Sequence, residues 1–246
     1  MTAADPASRI FCAIDTPDRE RALKVAHAIA GSVGGIKLGK EFFMANGPEG
    51  VERVMREAGG GRKLFLDLKL HDIPNTVAGA VRSVARLAPD FLTVHAGGGE
   101  AMLRAAVDAA RLAAVEQGVP RIRILGVTVL TSLSSEDLES VGMDPDMDSA
   151  VRRLALLAQS AGCDGVICSP HEIRLLRAAC GPEFVLMVPG IRPAWSEAGD
   201  QKRVTTPAEA LERGADYLVI GRPIAAADDP GRAARHIVQE IAGTTS

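Results

Sequence analysis

LFLDLKLHDIPNT, residues 64–76, is the stretch whose reading decides the fold. Alternation with period two puts Leu64, Leu66, Leu68 and Leu70 on one side of an extended strand and Phe65, Asp67 and Lys69 on the other. A leucine face suits packing against helices. The opposite face then carries two charges at the C-terminal end of the strand, next to an apolar interior, and charges so placed need partners. NTVAGAVRSVARLA (75–88) follows with helical spacing of its apolar residues, so a strand hands over directly to a helix.

The same handover recurs along the chain. Short runs rich in Ile, Val and Leu occur at 10–15 (IFCAID), 35–39 (GIKLG), 63–69, 91–97 (FLTVHAG), 123–130 (RILGVTVL), 165–169 (GVICS), 184–191 (FVLMVPGI) and 217–224 (YLVIGRPI). Amphipathic segments such as 18–30, 99–117, 148–162 and 206–215 lie between them. Eight strand-helix units in 246 residues predict one domain, residues 1–246, folded as a (β/α)8 TIM barrel, with a doubly wound open sheet as the alternative. AsnGlyPro at 46–48 breaks the second helical segment in two, and 134–149 reads as a short helix plus an acidic loop. Residues 1–9 read as a loose N-terminal segment. PAWSEAGDQKRV (193–204) has no period at all, so residues 192–205 read as a lid loop, the alternative being a tolerated surface insertion.

Composition narrows the function. With 28 basic and 31 acidic side chains the formal charge is −3, and aromatic residues make up only 3%, which argues against nucleic-acid partners. No run approaches a membrane span, and the N-terminus has no apolar leader core, so the expected location is the cytoplasm. Cys12, Cys163, Cys168 and Cys180 show neither CxxC spacing nor a Cys/His cluster and read as buried apolar residues in a reducing compartment. The DPD at 144–146 lacks the spacing of a calcium loop. His27, His171 and His236 fall in predicted helical segments and read as surface or partly buried positions, His71 reads as a cap on the subunit interface, and His95, at the end of the fourth strand, as a packing or hydrogen-bonding residue near the site rather than a base. Trp195 reads either as an anchor for the lid or as an exposed loop residue.

A barrel places its working site at the C-terminal ends of the strands. Parity brings Asp15 to the top of the first strand, on the side of Phe11 and Ala13. It turns Lys37 inward between Ile36 and Leu38, and sets Asp67 and Lys69 uppermost on the third strand. Alternating signs let Lys37, Asp67 and Lys69 hold one another. Asp72, beyond the strand end and followed by Ile73 and Pro74, cannot easily turn back into its own barrel and can reach a neighbouring subunit instead. IGRP at the eighth strand offers the backbone N–H of Gly221 and the fork of Arg222 to a phosphate, with Arg192 and Gln201 able to close over it.

Together these residues resemble the orotidine 5'-phosphate decarboxylase family, bacterial type, almost from end to end. The resemblance rests on DxKxxDIPNT (Asp67, Lys69, Asp72, Ile73, Pro74, Asn75, Thr76), AID at the first strand, IKLG at the second, VHAGGG, VTVLTS, VPGIRP with DQKRV, and GADYLVIGRPI. It implies release of CO2 from orotidine 5'-phosphate to give uridine 5'-phosphate, the last step of de novo pyrimidine nucleotide synthesis, without metal or organic cofactor. It implies that Lys69 protonates C6 and that Asp67 sits near the departing carboxylate. Asp15 and Lys37 would hydrogen-bond the ribose, Lys37 also bracing Asp67, and Asp72, Ile73 and Thr76 would enter from the partner subunit of a homodimer. Thr131 would contact the base, Pro189 would line the substrate site, and Arg192, Gln201, Gly221 and Arg222 would hold the phosphate. A Mg2+-dependent relative acting on sugar phosphates is the rival, although Lys37 stands where that relative carries a metal-binding carboxylate. An inactive nucleotide-binding barrel is the reading from another class.

Overall fold

Eight parallel strands follow one another around a closed barrel in the order β1 to β8, as a (β/α)8 fold requires. The computed structural model describes residues 5–59, 61–196 and 205–243. The strands are β1 (Ile10–Ile14), β2 (Gly35–Gly39), β3 (Lys63–Leu70), β4 (Phe91–His95), β5 (Arg123–Val127), β6 (Gly165–Ile167), β7 (Val185–Pro189) and β8 (Tyr217–Ile220). Their helices are α1 (Arg19–Ala28), α2 (Lys40–Glu57), α3 (Pro74–Val84), α4 (Glu100–Gln117), α5 (Ser135–Ser140), α6 (Met147–Ser160), α7 (Ile173–Cys180), α8 (Pro207–Glu212), α9 (Arg222–Ala225) and α10 (Pro230–Ile241).

Contacts group the chain into two compact units, residues 1–67 with 188–246, and residues 68–187. In the first, β1 pairs in parallel with both β2 and β8, and β2 pairs with β3. Its floor is aromatic. The Phe11 ring meets Phe65 edge-on at 6.1 Å and Tyr217 at 5.6 Å between centroids, and Lys63 Nζ lies over the Tyr217 ring. A side chain at Gly35 would collide with the Phe11 ring and the Lys63 carbonyl, so the close approach of these strands requires glycine there. In the second unit β4, β5, β6 and β7 pair in turn, and the Asp164 carboxylate accepts from the Ile124 amide at 2.9 Å while pairing with Arg121.

Several expectations are refined. The segment 40–57 is two helices meeting at Gly47, where φ is 62° and Pro48 starts the second, as the AsnGlyPro break predicted. Strand β5 stops at Val127 and β8 at Ile220, short of the expected 130 and 224. After Gly221 the chain turns into α9, because Pro223 has no N–H for a strand ladder but fits the first turn of a helix. Residues 6–9, expected to be loose, form a 3-10 turn capped by Asp5, with Arg9 bonded to the carbonyls of Ala215 and Asp216. His171 lies not in a helix but in the turn before α7, where Glu172 accepts from the Ser169 amide at 2.8 Å. Asp146 of the DPD run is the N-cap of α6.

Candidate active site

The register of β1, β2 and β3 explains how three charged side chains meet. Lys37 is aligned with Ala13 on one side and Phe65 on the other. Asp15 and Asp67 each lie two residues further along, roughly 6.6 Å up their strands, a span that the four-carbon stem of a lysine covers. Lys37 Nζ accordingly sits 2.8 Å from Asp15 Oδ1 and 3.6 Å from Asp67 Oδ2. The Lys37 and Asp67 side chains are only 10% and 12% exposed, whereas Asp15, one residue past the end of β1, is 57% exposed. The ammonium is therefore flanked by an acid open to solvent and an acid out of it. Gly39 makes the room, since a Cβ there would stand 3.1 Å from Asp15 Oδ1 and 3.2 Å from Lys37 Nζ.

Lys69 follows Asp67 by two residues on β3 and is half-buried. Its backbone has φ 49°, in the left-handed region, so the simple alternation that predicted its side is interrupted at this residue. Its amide donates to Thr93 Oγ1 at 2.9 Å. Beyond the strand, Asp72, Ile73 and Thr76 are all exposed, Ile73 to 67%. The Asp72 carboxylate accepts from the Ile73 amide at 2.6 Å, and Pro74 begins α3.

Gly221 and Arg222 line a cavity of about 100 Å³ together with Asp15, Thr16 and Arg21. Gly221 closes β8 and Arg222 opens α9. Arg192, two residues past Gly190 after β7, is half-buried, and burial, followed by the nearby charge of Arg222, lowers its affinity for its proton. Two guanidinium groups that repel each other form a place where an anion is favoured. Pro189 ends β7 half-buried, and Thr131 is exposed in the turn after β5. Gln201, and residues 197–204 of the expected lid, lie outside the described residues. At the root of that segment Trp195 stacks on His236 of α10, centroids 5.0 Å apart and rings 4° from parallel, while the Ala194 amide faces the Glu240 carboxylate. His71 and His95 rings lie 5.3 Å apart.

The cysteines carry no chemistry. All four are buried and none forms a disulfide, and burial pushes the Cys12 and Cys163 thiols up to about 12, away from the reactive thiolate. Among the described residues no three His, Cys, Asp or Glu side chains gather as a metal site, and no helix is long and apolar enough to cross a membrane. Two neighbours of the site were not singled out in the sequence. Thr93 is a lone hydroxyl in the apolar run FLTV, a signal that parity could have picked out; Arg21 had no signal beyond its place in the first turns of α1.

Comparison with known proteins identifies the family of the chain. Residues 8–237 match the family model described as the orotidine 5'-phosphate decarboxylase / HUMPS family. The chain is 55% identical to the orotidine 5'-phosphate decarboxylase of Paramagnetospirillum magneticum, over 94% of this chain and 97% of that protein. It is 54% identical to that of Moorella thermoacetica, over 95% and 92%. The crystal structure of orotidine 5'-phosphate decarboxylase from Lactobacillus acidophilus superposes with a TM-score of 0.81 at 35% identity, covering 94% of this chain and 98% of that one. With its charged cluster at the strand ends and a match spanning nearly its whole length, the chain belongs to the orotidine 5'-phosphate decarboxylase / HUMPS family.

Proposed function

We propose that this chain decarboxylates orotidine 5'-phosphate to uridine 5'-phosphate without a metal or organic cofactor. The observation that carries the reading is the chain of charges Asp15–Lys37–Asp67, with Lys69 two residues further along the same strand. Loss of CO2 breaks the bond to C6 and leaves its electron pair in an in-plane orbital that cannot spread into the ring. Such a carbanion needs a nearby cation and a proton. Lys69 supplies both, its ammonium facing the developing charge and then delivering a proton to C6. Two unit charges about 4 Å apart interact by about 1 kcal/mol in bulk water and roughly 4 kcal/mol at an effective dielectric of 20, so exclusion of water raises the effect.

In this reading Asp67 stands near the departing carboxylate, and Asp15 and Lys37 hold the ribose. Gly221, Arg222, Arg192 and Gln201 take the phosphate, Thr131 and Pro189 border the base, and the loop 192–205 closes over the ligand within a single domain. The mutual repulsion of Arg192 and Arg222 supports the phosphate assignment, since a dianion between them relieves it. Asp72, Ile73 and Thr76 serve the active site of the partner in a homodimer; their exposure, and that of an isoleucine in particular, supports a covered face. Fully covering one such side chain is worth about 1.5–3 kcal/mol. Buried cysteines that form no disulfide fit a cytoplasmic enzyme.

The family description also embraces HUMPS proteins. Lys37 disfavours a metal-dependent sugar-phosphate reaction, because an ammonium already neutralised by Asp15 and Asp67 occupies the place where a cation would have to bind. The test is a spectroscopic assay of orotidine 5'-phosphate conversion to uridine 5'-phosphate with and without EDTA. Equal conversion in both is expected; no conversion, or conversion lost on chelation and restored by Mg2+, overturns the reading.

A further inference from the structure

We propose that Thr93 is a positioning residue for Lys69: its hydroxyl holds the lysine's backbone in the left-handed conformation and thereby aims the ammonium. The inference rests on the reading of Lys69 as the proton donor and adds a residue that acts on it from outside the reacting atoms.

The geometry is specific. Among the described residues only two that are not glycine have positive φ, Lys69 at 49° and Ala88 at 46°. Ala88 caps a 3-10 turn, an ordinary place for left-handed backbone, at which a helix is brought to an end. Lys69 instead lies inside a strand, one residue before its end, where extended backbone is the default. Lysine has no short polar side chain of the kind that lets asparagine or aspartate settle there. A residue kept in a sparsely populated conformation must be held by its surroundings, and such residues gather where function needs a particular orientation.

The hold is visible. The Lys69 amide donates to Thr93 Oγ1 at 2.9 Å across a separation of 24 residues. Thr93 is fully buried on β4, and so are its strand neighbours Leu92 and Val94 on the opposite face, so the strand that carries its oxygen is packed on both sides. Being β-branched, threonine has few χ1 options in a packed strand, so the acceptor is fixed in direction as well as position. Without it the Lys69 amide would lose a buried acceptor and φ would be free to relax towards the extended range. That rotation swings the Cα–Cβ bond and carries the ammonium away from C6. The phosphate and ribose contacts assigned to Arg222, Asp15 and Lys37 come from other strands and would stay. The defect should therefore fall on turnover and spare binding.

Thr93→Val keeps the shape and removes the acceptor; Thr93→Ser keeps the acceptor and removes the methyl group. Misplacement of a reacting group by about 1 Å can cost about 100-fold, so kcat of Thr93→Val should fall about 10- to 100-fold while KM for orotidine 5'-phosphate stays within about threefold. Thr93→Ser should hold kcat within about threefold of the wild type. A crystal structure of Thr93→Val should show Lys69 with negative φ. Unchanged kcat in Thr93→Val, a Thr93→Ser enzyme as impaired as Thr93→Val, or Lys69 still left-handed in the Thr93→Val crystal overturns the inference. Should Thr93→Val not fold, Thr93→Ala read against Thr93→Ser gives the same contrast. A wild type inactive on orotidine 5'-phosphate would instead sink the functional reading, a result distinct from an active wild type whose Thr93→Val variant turns over normally.

Discussion

Two stretches only a few residues apart, 64–67 and 72–76, treat charge in opposite ways. In the first, Asp67 is nearly out of solvent and faces Lys37, whose ammonium is shared with Asp15. In the second, Asp72 is open to solvent, accepts from the amide next to it, and precedes an isoleucine that is 67% exposed. A buried charge persists only when a counter-charge is held beside it, because removing one partner leaves an uncompensated ion at a cost of about 3–5 kcal/mol. An exposed carboxylate carries no such demand, as water satisfies it. The isoleucine beside it is exposed as well. The buried stretch pairs its charges within one chain, whereas the exposed one leaves its carboxylate and its isoleucine open in that chain.

Three experiments bear on that contrast. The largest effect is expected at the boundary between the stretches: if Lys69 is the proton donor and the cation facing C6, as proposed, Lys69→Ala should lower kcat by about 10,000-fold or more. Thermal unfolding should remain cooperative, and near-normal turnover would remove Lys69 from the chemistry. At the cavity beyond β8, Arg222→Ala should raise KM for orotidine 5'-phosphate about 100-fold, the order expected from losing a charge-assisted bidentate contact. Its effect on the bare nucleoside should be small, and an equal loss on both substrates would contradict the phosphate assignment. On the exposed side, Lys69→Ala and Asp72→Ala protein, each inactive alone, should recover on mixing. Random exchange makes half the dimers hybrid with one intact site of two, so about a quarter of wild-type activity should return. No recovery despite subunit exchange, checked by mass spectrometry of the mixed dimers, would mean that each chain completes its own site.

Much of this was legible in advance because side-chain direction along a strand is a local property. The leucines at 64, 66, 68 and 70 forced Phe65 and Asp67 to the other side, and the Phe11–Phe65 contact below and the Lys37–Asp67 pair above follow from that parity. Strand ends were read less well. RPI at 222–224 continues an apolar run, yet Pro223 makes it the first turn of a helix. The run through Leu130 overshot because β5 ends at Val127, leaving Leu130 37% exposed. The residues around Trp195 do not decide between its two readings, because a stacking partner on α10, far along the chain, leaves no mark on them.

By itself, then, the sequence determined the eight-unit repeat, the faces of its strands, and the placing of Asp67, Lys69 and Arg222 at or just beyond strand ends. Each depends on periods of two or 3.6 residues and on turn chemistry, which neighbouring residues specify. Tertiary structure decided the rest. The register of β1, β2 and β3 brought Asp15 and Asp67 to one ammonium, and Gly39 left room for them. A hydroxyl 24 residues away accepts the amide of Lys69, whose backbone stands in a conformation its own side chain does not favour. Contacts of that kind depend on how separate strands align, a relation that no local pattern encodes.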